Sequence, residues 1–370
     1  MTKFHFNIYV GKKMDIQQII STNQNLRKLK SLNINVLISI SLSFFLFSIT
    51  GDVSGSDNCT TAPTSSLVIN VKDKGAKGDG ISDDTAAIQT AVNQVAGTGG
   101  TVLVPAGTYI IDAITSIQIK SNMTLRMSRG TILKALPNGK DNYSIINITS
   151  ASNINVMDGT LIGERNKHTG TSGEWGMGIL LSDASNVVIE GVSVKDCWGD
   201  GFYTKGASKN VKFCSVIADN NRRQGMSIIS VDGIVVKNSI FKNTGGTAPQ
   251  AGIDLEPNAD DTISNVQILN SQFMDNKGFG IQLYQGAKHS FIKNVTINGN
   301  TIKGNLKGGI AIFNTAGHRI KNNLVKDNQN YGIRLYQGAK GNTVTGNKVT
   351  GKNGINDEDS ENTILNNGIN

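Results

Sequence analysis

The chain has 370 residues, of which 42 are glycine, 6% are aromatic and 17% are charged. This composition does not fit a helical protein and favours an all-β repeat protein with many turns. Most of the formal net charge of +8 lies in the first fifty residues, so it does not indicate a nucleic-acid partner.

Residues 1–50 have the order of a secretory signal, with basic residues before an apolar run at residues 36–49. The run is shorter than a membrane span. Residues 1–50 hold six basic residues and one acidic residue, and without them the formal charge falls to about +3. We therefore expect an exported protein, secreted or periplasmic, that contacts a membrane only through its signal. Residues 51–66 are predicted to form a polar linker.

The three cysteines show no spacing of a disulfide framework. Alignment of the repeats described below places Cys197 beside Asn221 and Cys214 beside Glu190, so these two cysteines are not neighbours. We expect buried or free thiols for Cys59, Cys197 and Cys214.

A short amphipathic helix is predicted after residue 84. Asp83 or Asp84 can cap it, and Gly97 follows its end. Its apolar residues recur at the spacing of one helix face: Ile88, Ala91, Val92 and Val95. Such a one-sided helix suits the open end of a β-stack.

Three motifs in this region resemble the start of the pectate lyase superfamily domain: Gly75-Ala-Lys-Gly-Asp-Gly, Asp83-Asp-Thr-Ala-Ala-Ile-Gln and Gly99-Gly-Thr-Val-Leu-Val-Pro-Ala-Gly-Thr-Tyr. With the coils that follow, the resemblance covers about residues 67–370 and implies a right-handed parallel β-helix. The superfamily includes lyases, hydrolases, epimerases and phage tail proteins, so the resemblance implies a fold without implying one reaction.

A regular spacing after residue 177 indicates stacked coils. A glycine opens each coil every 22–29 residues, at Gly178, Gly201, Gly225, Gly252, Gly280, Gly309, Gly332 and Gly354. In five coils an asparagine or glycine lies fifteen residues before this coil glycine. One coil is too small to bury a core, so the coils must stack. We predict an all-β, single-stranded, right-handed parallel β-helix over residues 67–370 with an N-terminal capping α-helix.

Two coils are longer than this spacing allows. The interval from Asn153 to Gly178 is ten residues too long, and that from Gly233 to Gly252 is four too long. Both extra segments precede the coil glycine, so they should emerge on one side of the stack. We name them the first inserted loop (residues 163–175) and the second inserted loop (residues 243–250), and expect them to form the walls of a groove.

Side chains alternate along a strand and neighbouring coils lie roughly 4.8 Å apart, so outward positions of adjacent coils form a patch between these loops. The patch contains Tyr203, Lys205, Ser227, Asp254 and Glu256. Residues just before the coil glycines add Trp198, Asp200, Arg222, Arg223 and Gln224. The first inserted loop adds His168 and Trp175.

This patch suits the cleavage of a sugar chain, by either of two reactions. Hydrolysis requires two carboxyl groups, and Asp254 and Glu256 lie roughly 7 Å apart on one strand face, with Asp200 as a third candidate. Elimination from a uronate requires a cation and a base. Arg222, Arg223 and Lys205 are the candidate cations, and the candidate bases are Tyr203, an arginine or a carboxylate.

We predict catalytic roles for Asp254, Glu256, Asp200 and Arg223. We predict substrate-binding roles for Trp198, Tyr203, Lys205, Arg222, Gln224, Trp175 and His168. The alternative is that the carboxylates are solvated or form ion pairs with Lys205 or Arg223. No cofactor is indicated, although Asp200, Asp254 or Glu256 are candidate ligands for calcium.

The order of the coils resembles that of the polygalacturonase family within the superfamily. Asp200-Gly201-Phe202, Arg223-Gln224-Gly225 and Gly252-Ile253-Asp254-Leu255 stand where that family has its acidic, Gly-His-Gly and Arg-Ile-Lys motifs. The adjacent aspartate pair and the histidine are absent, and Asp254 replaces a basic residue, so the mechanism of that family is not implied. The Asp-Pro-His motif of alginate epimerases is also missing.

The function predicted from the sequence is that of an exported lyase or glycoside hydrolase for an acidic, uronic-acid-containing polysaccharide. The alternatives are a non-catalytic carbohydrate-binding or surface protein and a purely structural solenoid. The sequence does not indicate the oligomeric state.

Overall fold

The computed structural model describes Cys59 and residues 63–369. The predicted signal and most of the predicted linker lie outside these residues. Within them, three parallel sheets run along one solenoid, and successive strands of the chain join different sheets. This arrangement confirms the predicted β-helix. No helix among the described residues is long and apolar enough to cross a membrane.

Within the described residues, each strand pairs with the strands named before and after it in its sheet. The first sheet contains β1 (Val68–Asn70), β3 (Thr101–Val104), β6 (Met123–Met127), β9 (Ser152–Met157), β12 (Ser185–Glu190), β15 (Lys209–Cys214), β18 (Val231–Lys237), β21 (Thr262–Leu269), β24 (Phe291–Asn298), β27 (Arg319–Lys321), β30 (Thr343–Thr345) and β33 (Thr363–Leu365). The second sheet contains β2 (Asp79–Asp83), β4 (Gly107–Ile111), β7 (Thr131–Ala135), β10 (Thr160–Ile162), β13 (Ser193–Lys195), β16 (Ile217–Asp219), β19 (Ile240–Lys242), β22 (Gln272–Met274), β25 (Thr301–Lys303), β28 (Leu324–Lys326), β31 (Lys348–Val349) and β34 (Gly368–Ile369). The third sheet contains β5 (Ile117–Gln118), β8 (Asn142–Thr149), β11 (Trp175–Ser182), β14 (Phe202–Lys205), β17 (Met226–Ile228), β20 (Ile253–Leu255), β23 (Phe279–Tyr284), β26 (Gly308–Phe313), β29 (Ile333–Leu335) and β32 (Ile355–Asp357).

The asparagine or glycine fifteen residues before a coil glycine occupies a corner with left-handed backbone. The φ angle is 53° at Asn186, 52° at Asn210, 57° at Asn265 and 78° at Gly317. Asparagine tolerates this conformation better than most residues, and its side chain bonds to nearby groups. The amide of Asn210 donates to Asn186 Oδ1 on the previous coil at 3.2 Å. The constant spacing therefore records a corner that each coil must turn.

The core lies inside the three sheets and is closed at its N-terminal end by a helix. The residues after the coil glycines are at most 1% exposed: Phe202, Met226, Ile253, Ile281, Ile310 and Ile333. A 3-10 helix (Val71–Lys74) precedes helix α1 (Thr85–Val95). The apolar face of α1 is buried, and each large side chain on it contributes about 1.5–3 kcal/mol. The predicted capping helix is thus part of the core.

The prediction of free thiols is wrong for two of the three cysteines. Cys59 forms a disulfide with Cys214, with 6.3 Å between their Cα atoms. The pair is 155 residues apart in sequence, and Cys59 lies in the predicted linker, so no local pattern indicates it. Cys197 is free and buried, as expected.

Candidate functional site

The two inserted loops leave the coil at the same corner, as predicted. Each follows a strand of the second sheet, β10 or β19, and precedes a strand of the third sheet, β11 or β20. Arg165 in the first loop donates through Nη2 to the backbone oxygen of Gly245 in the second loop. The two loops therefore contact each other beside the third sheet.

Between the loops, outward positions of the third sheet stack in the predicted register. Tyr203 pairs with Ser227, Ser227 with Asp254, and Asp254 with Gln282 on successive coils. Their side chains are covered, however, so that Asp254 is 1% exposed and Tyr203 is 8% exposed. Asp254 is therefore not the solvated carboxylate that alternation alone predicts.

Arg223 forms the centre of the site. Its Nη1 lies 3.3 Å from Asp200 Oδ2, its Nε lies 3.2 Å from Glu174 Oε2, and its Nη2 lies 3.6 Å from Glu256 Oε2. Three carboxylates thus share one guanidinium, and we call these four residues the Arg223 cluster. The side chains of Glu174 and Glu256 are 42% and 33% exposed, whereas that of Asp200 is fully buried.

Asp200 lies behind Arg223 and is held on one oxygen. The Ser227 hydroxyl donates to Asp200 Oδ2 at 2.8 Å. Asp200 Oδ1 has no hydrogen-bond partner within the described part of the chain. Burial raises the pKa of Asp200 to about 6, although Arg223 and Ser227 oppose this shift. A carboxyl group with such a pKa can gain or lose a proton near neutral pH.

Asp254 is held by two side-chain amides. Gln224 Nε2 donates to Asp254 Oδ2 at 2.7 Å, and Gln282 Nε2 donates to Oδ1 at 3.1 Å. Gln224 is itself fixed, because its Oε1 accepts from the Ala251 amide at 2.7 Å. Burial, together with the neighbouring Glu256 carboxylate, raises the pKa of Asp254 well above its ordinary value. The Asp254 carboxyl therefore keeps its proton to a higher pH than an exposed aspartate does.

A second cluster fastens the first inserted loop to the coil. The Trp198 ring lies between the His168 ring, 4.0 Å away between centroids, and the Arg222 guanidinium, 3.8 Å from its centroid. His168 Nδ1 lies 2.9 Å from Glu164 Oε1, which also accepts a hydrogen bond from Tyr143. Burial raises the pKa of Glu164. These contacts make the loop a fixed wall.

The residues with predicted catalytic roles, Asp254, Glu256, Asp200 and Arg223, come together between the loops. The residues with predicted substrate-binding roles are dispersed. Both faces of Trp198 are covered, by His168 and Arg222, so its ring is not available to a sugar. The buried His168 is likewise part of the wall.

The remaining predicted binding residues lie in different surroundings. Tyr203 packs with Met177 and Ile229, and burial raises its pKa to about 12, which does not suit a base. Gln224 is buried against Asp254, and Lys205 lies near Asp183. Trp175, at the start of β11, is 43% exposed and keeps a surface for a ligand.

Glu174 and Gln282 belong to the site but are not predicted from the sequence. The signal for Glu174 is its place in an inserted loop next to Trp175. Gln282 follows Asp254 by one coil, but the coil spacing does not indicate that its amide bonds to that carboxylate. Both contacts depend on side-chain geometry that a repeat pattern does not encode.

Among the described residues, no group of three or more His, Cys, Asp or Glu is arranged to hold a metal ion. The proposed calcium ligands have other partners. Asp200 and Glu256 face the Arg223 guanidinium, and Asp254 faces two amides. A guanidinium already supplies the positive charge that a cation would bring.

Two family models match the solenoid. One, described as rhamnogalacturonase A/epimerase, pectate lyase-like, matches residues 68–272. The other, described as right handed beta helix region, matches residues 250–369. The first inserted loop, the second inserted loop and the Arg223 cluster all lie within the first match.

The chain is also similar to individual proteins. The uncharacterized protein YclG of Bacillus subtilis is 30% identical over 258 residues, 60% of this chain and 44% of that protein. Mannuronan C5-epimerase AlgE5 of Azotobacter vinelandii is 29% identical over 234 residues, 59% of this chain and 23% of that protein. Plasmin and fibronectin-binding protein A of Streptococcus pneumoniae is 26% identical over 316 residues, 69% of this chain and 42% of that protein. The chain therefore spans less than half the length of these relatives.

Among solved structures, the A-module of mannuronan C-5 epimerase AlgE4 of Azotobacter vinelandii superposes with a TM-score of 0.64 at 23% identity. The match covers 82% of this chain and 95% of that module. This likeness concerns the fold.

Proposed function

Since the chain belongs to the family described as rhamnogalacturonase A/epimerase, pectate lyase-like, we propose that it hydrolyses a polysaccharide that contains uronic acid. The similarity to a mannuronan C5-epimerase supports an acidic polysaccharide as the substrate. The Cys59–Cys214 disulfide supports action outside the cytosol, because disulfides persist in oxidising compartments.

The observation that carries the choice of hydrolysis is the sharing of Arg223 by three carboxylates. Elimination requires a cation that neutralises the sugar carboxylate, and Arg223 is already engaged. Arg222 is also engaged, since it stacks on Trp198 and donates to the backbone oxygen of Gly173 at 3.0 Å. The three carboxylates of the cluster outnumber its one guanidinium, and this excess of negative charge disfavours binding of a sugar carboxylate there. Hydrolysis needs no such cation.

In the proposed reaction, Glu256 and Glu174 are the carboxyl groups that contact the sugar. Glu256 donates a proton to the departing glycosidic oxygen, and Glu174 takes a proton from the attacking water. Arg223 acts as a positioning residue because it contacts both glutamates, and the buried Asp200 holds Arg223 in place. These roles agree with the exposure of the glutamates and the burial of the aspartates.

The second candidate function is glycan binding without cleavage. It is favoured by one specific observation, the burial of Asp200 and Asp254. Only two of the four carboxyl groups at the site are reachable by a ligand, and both are bound to Arg223. A groove of this kind can hold a glycan without supplying a proton donor.

A panel of uronic-acid and neutral polysaccharides distinguishes these functions. The protein is incubated with each, and reducing ends, absorbance of unsaturated uronate and sugar configuration by proton NMR are followed. Reducing ends without unsaturated product are expected. Unsaturated product would show elimination, a changed configuration without cleavage would show epimerisation, and binding without product would favour the second candidate.

A further inference from the structure

The groove beside the Arg223 cluster continues toward the C-terminal coils. It has a volume of about 490 Å³, with Arg223 and Glu256 among its lining residues. Tyr284, Lys307 and Phe313 also line it, together with the second inserted loop. The candidate site and these three residues therefore share one groove.

Tyr284, Phe313 and Tyr336 form an aromatic column that continues the position of Glu256. Tyr284 pairs with Phe313 on adjacent strands, and the strand pairs before them place Glu256 one coil before Tyr284 and Tyr336 one coil after Phe313. Coils lie roughly 4.8 Å apart. A short oligosaccharide held by Glu256 can therefore extend along this column.

The three rings of the column differ in the surface that they offer. Tyr336 is covered on both sides, by the Phe313 ring at 3.8 Å and the Arg334 guanidinium at 3.9 Å. Tyr284 meets Phe313 at an interplanar angle of 71° and is 38% exposed. Aromatic packing alone explains Tyr336, but it leaves the exposed surface of Tyr284 in the groove without a partner.

Lys307 supplies a positive charge to the groove that Tyr284 also lines. It is exposed, and no carboxylate within the described residues forms an ion pair with it. A uronic acid residue presents an apolar C–H face and a carboxylate. The negative face of an aromatic ring attracts the C–H face of the sugar. An ammonium group binds the sugar carboxylate by a charge-assisted hydrogen bond.

We propose that Tyr284 and Lys307 form a subsite that binds a uronic acid residue of the polysaccharide one coil away from Glu256. The inference rests on the proposed function, because it requires a polysaccharide in the groove. The charges along the groove determine where a sugar carboxylate binds, because the Arg223 cluster disfavours it and Lys307 attracts it. The preferred substrate then carries a uronate at the Tyr284 subsite and none at the Arg223 cluster.

Calorimetric titration of the Glu256→Gln protein tests the subsite without turnover. The probes are hexasaccharides of galacturonate, of mannuronate and of alternating galacturonate and neutral units, each with a counterpart whose carboxyl groups are reduced to alcohols. Tyr284→Ala should weaken binding of acidic and reduced forms roughly tenfold. Lys307→Met should weaken binding of the acidic forms alone, also roughly tenfold.

Tyr336→Ala is the matched control, because it belongs to the same column but its faces are covered. It should lower the melting temperature and leave affinity within about twofold. If Tyr284→Ala does not fold, Tyr284→Leu keeps the apolar contact with Phe313 and removes the flat ring. Unchanged affinity in the Tyr284 and Lys307 variants would overturn the subsite while leaving the proposed function intact. Failure of every hexasaccharide to bind the parent protein would overturn both.

Discussion

The guanidinium of Arg223 lies 3.3 Å from the fully buried carboxylate of Asp200, and this contact joins the groove to the inside of the solenoid. The same guanidinium reaches Glu174 and Glu256 at the surface. Arg223 therefore couples the position of the reactive carboxyl groups to the stability of the coil. Substitutions here should change both properties.

Replacement of Arg223 by methionine should lower the free energy of unfolding by roughly 3–5 kcal/mol, because Asp200 remains buried without its partner. Denaturant unfolding measures this change. Asp200→Asn added to Arg223→Met should restore part of the loss, since it removes the unpaired charge. A loss below about 1 kcal/mol in the single variant would show that the pair does not hold the site.

The raised pKa of Asp200, about 6, makes stability depend on pH. The unfolded carboxyl has a pKa near 3.9, so the folded protein binds more protons between about pH 4 and pH 6, and its stability falls as pH rises through this window. The contribution, roughly 3 kcal/mol, is fully present below about pH 4 and lost above pH 6. Asp200→Asn should therefore gain stability relative to wild type between pH 4 and pH 7, measured by urea unfolding.

The exposed Asp232 provides a control for this pH dependence. Hydrogen bonds from Ser264 and Asn265 lower the pKa of Asp232. A lowered pKa means that Asp232 stabilises the folded protein when it is ionised. This stabilisation is lost only as pH falls below about 4. The difference in free energy of unfolding between Asp232→Asn and wild type should not vary between pH 4 and pH 7. If the difference between Asp200→Asn and wild type also does not vary with pH, the raised pKa of Asp200 is contradicted.

The two tryptophans should behave differently although both were candidates for sugar stacking. Trp198→Ala removes the ring between His168 and Arg222 and should destabilise the protein by about 2 kcal/mol or more. It should also raise hydrogen exchange across the first inserted loop. Trp175→Ala, at a 43% exposed position, should change stability by less than about 0.5 kcal/mol. Equal exchange in both variants would mean that Trp198 does not fasten the loop.

The solenoid and its register are predictable because each coil repeats the same physical requirement. Asn186, Asn210 and Asn265 recur because a corner requires a positive φ, and Phe202 and Met226 recur because alternate residues point inward. The row from Ser227 to Asp254 follows from the same alternation. Spacing of this kind is visible in one sequence.

The burial and partners of the site residues are not predictable from that spacing. Asp254 is buried against two glutamine amides, and Asp200 is buried behind Arg223. The stacking of His168 on Trp198 depends on the path of the first inserted loop. The Cys59–Cys214 bond joins segments 155 residues apart. Such contacts leave no periodic signal.

The disulfide predicts a simple thiol count and a loss of stability on reduction. The unfolded, unreduced protein should show one reactive thiol, and the reduced protein should show three, as three cysteines are present. Reduction, or Cys59→Ser combined with Cys214→Ser, should lower the free energy of unfolding by roughly 2–5 kcal/mol, because the bond closes a long loop. Three reactive thiols before reduction would contradict the bond.

The most direct measurement is the initial rate of reducing-end formation on an acidic polysaccharide by wild type, Glu256→Gln and Glu361→Gln. Glu361 is an exposed acid paired with Lys340 and far along the chain from the groove. We expect Glu256→Gln to reduce the rate by roughly 10²-fold or more, the usual contribution of a general acid. Glu361→Gln should match wild type, and no unsaturated uronate should form. An unchanged rate in Glu256→Gln, or unsaturated product from wild type, would contradict hydrolysis at the Arg223 cluster.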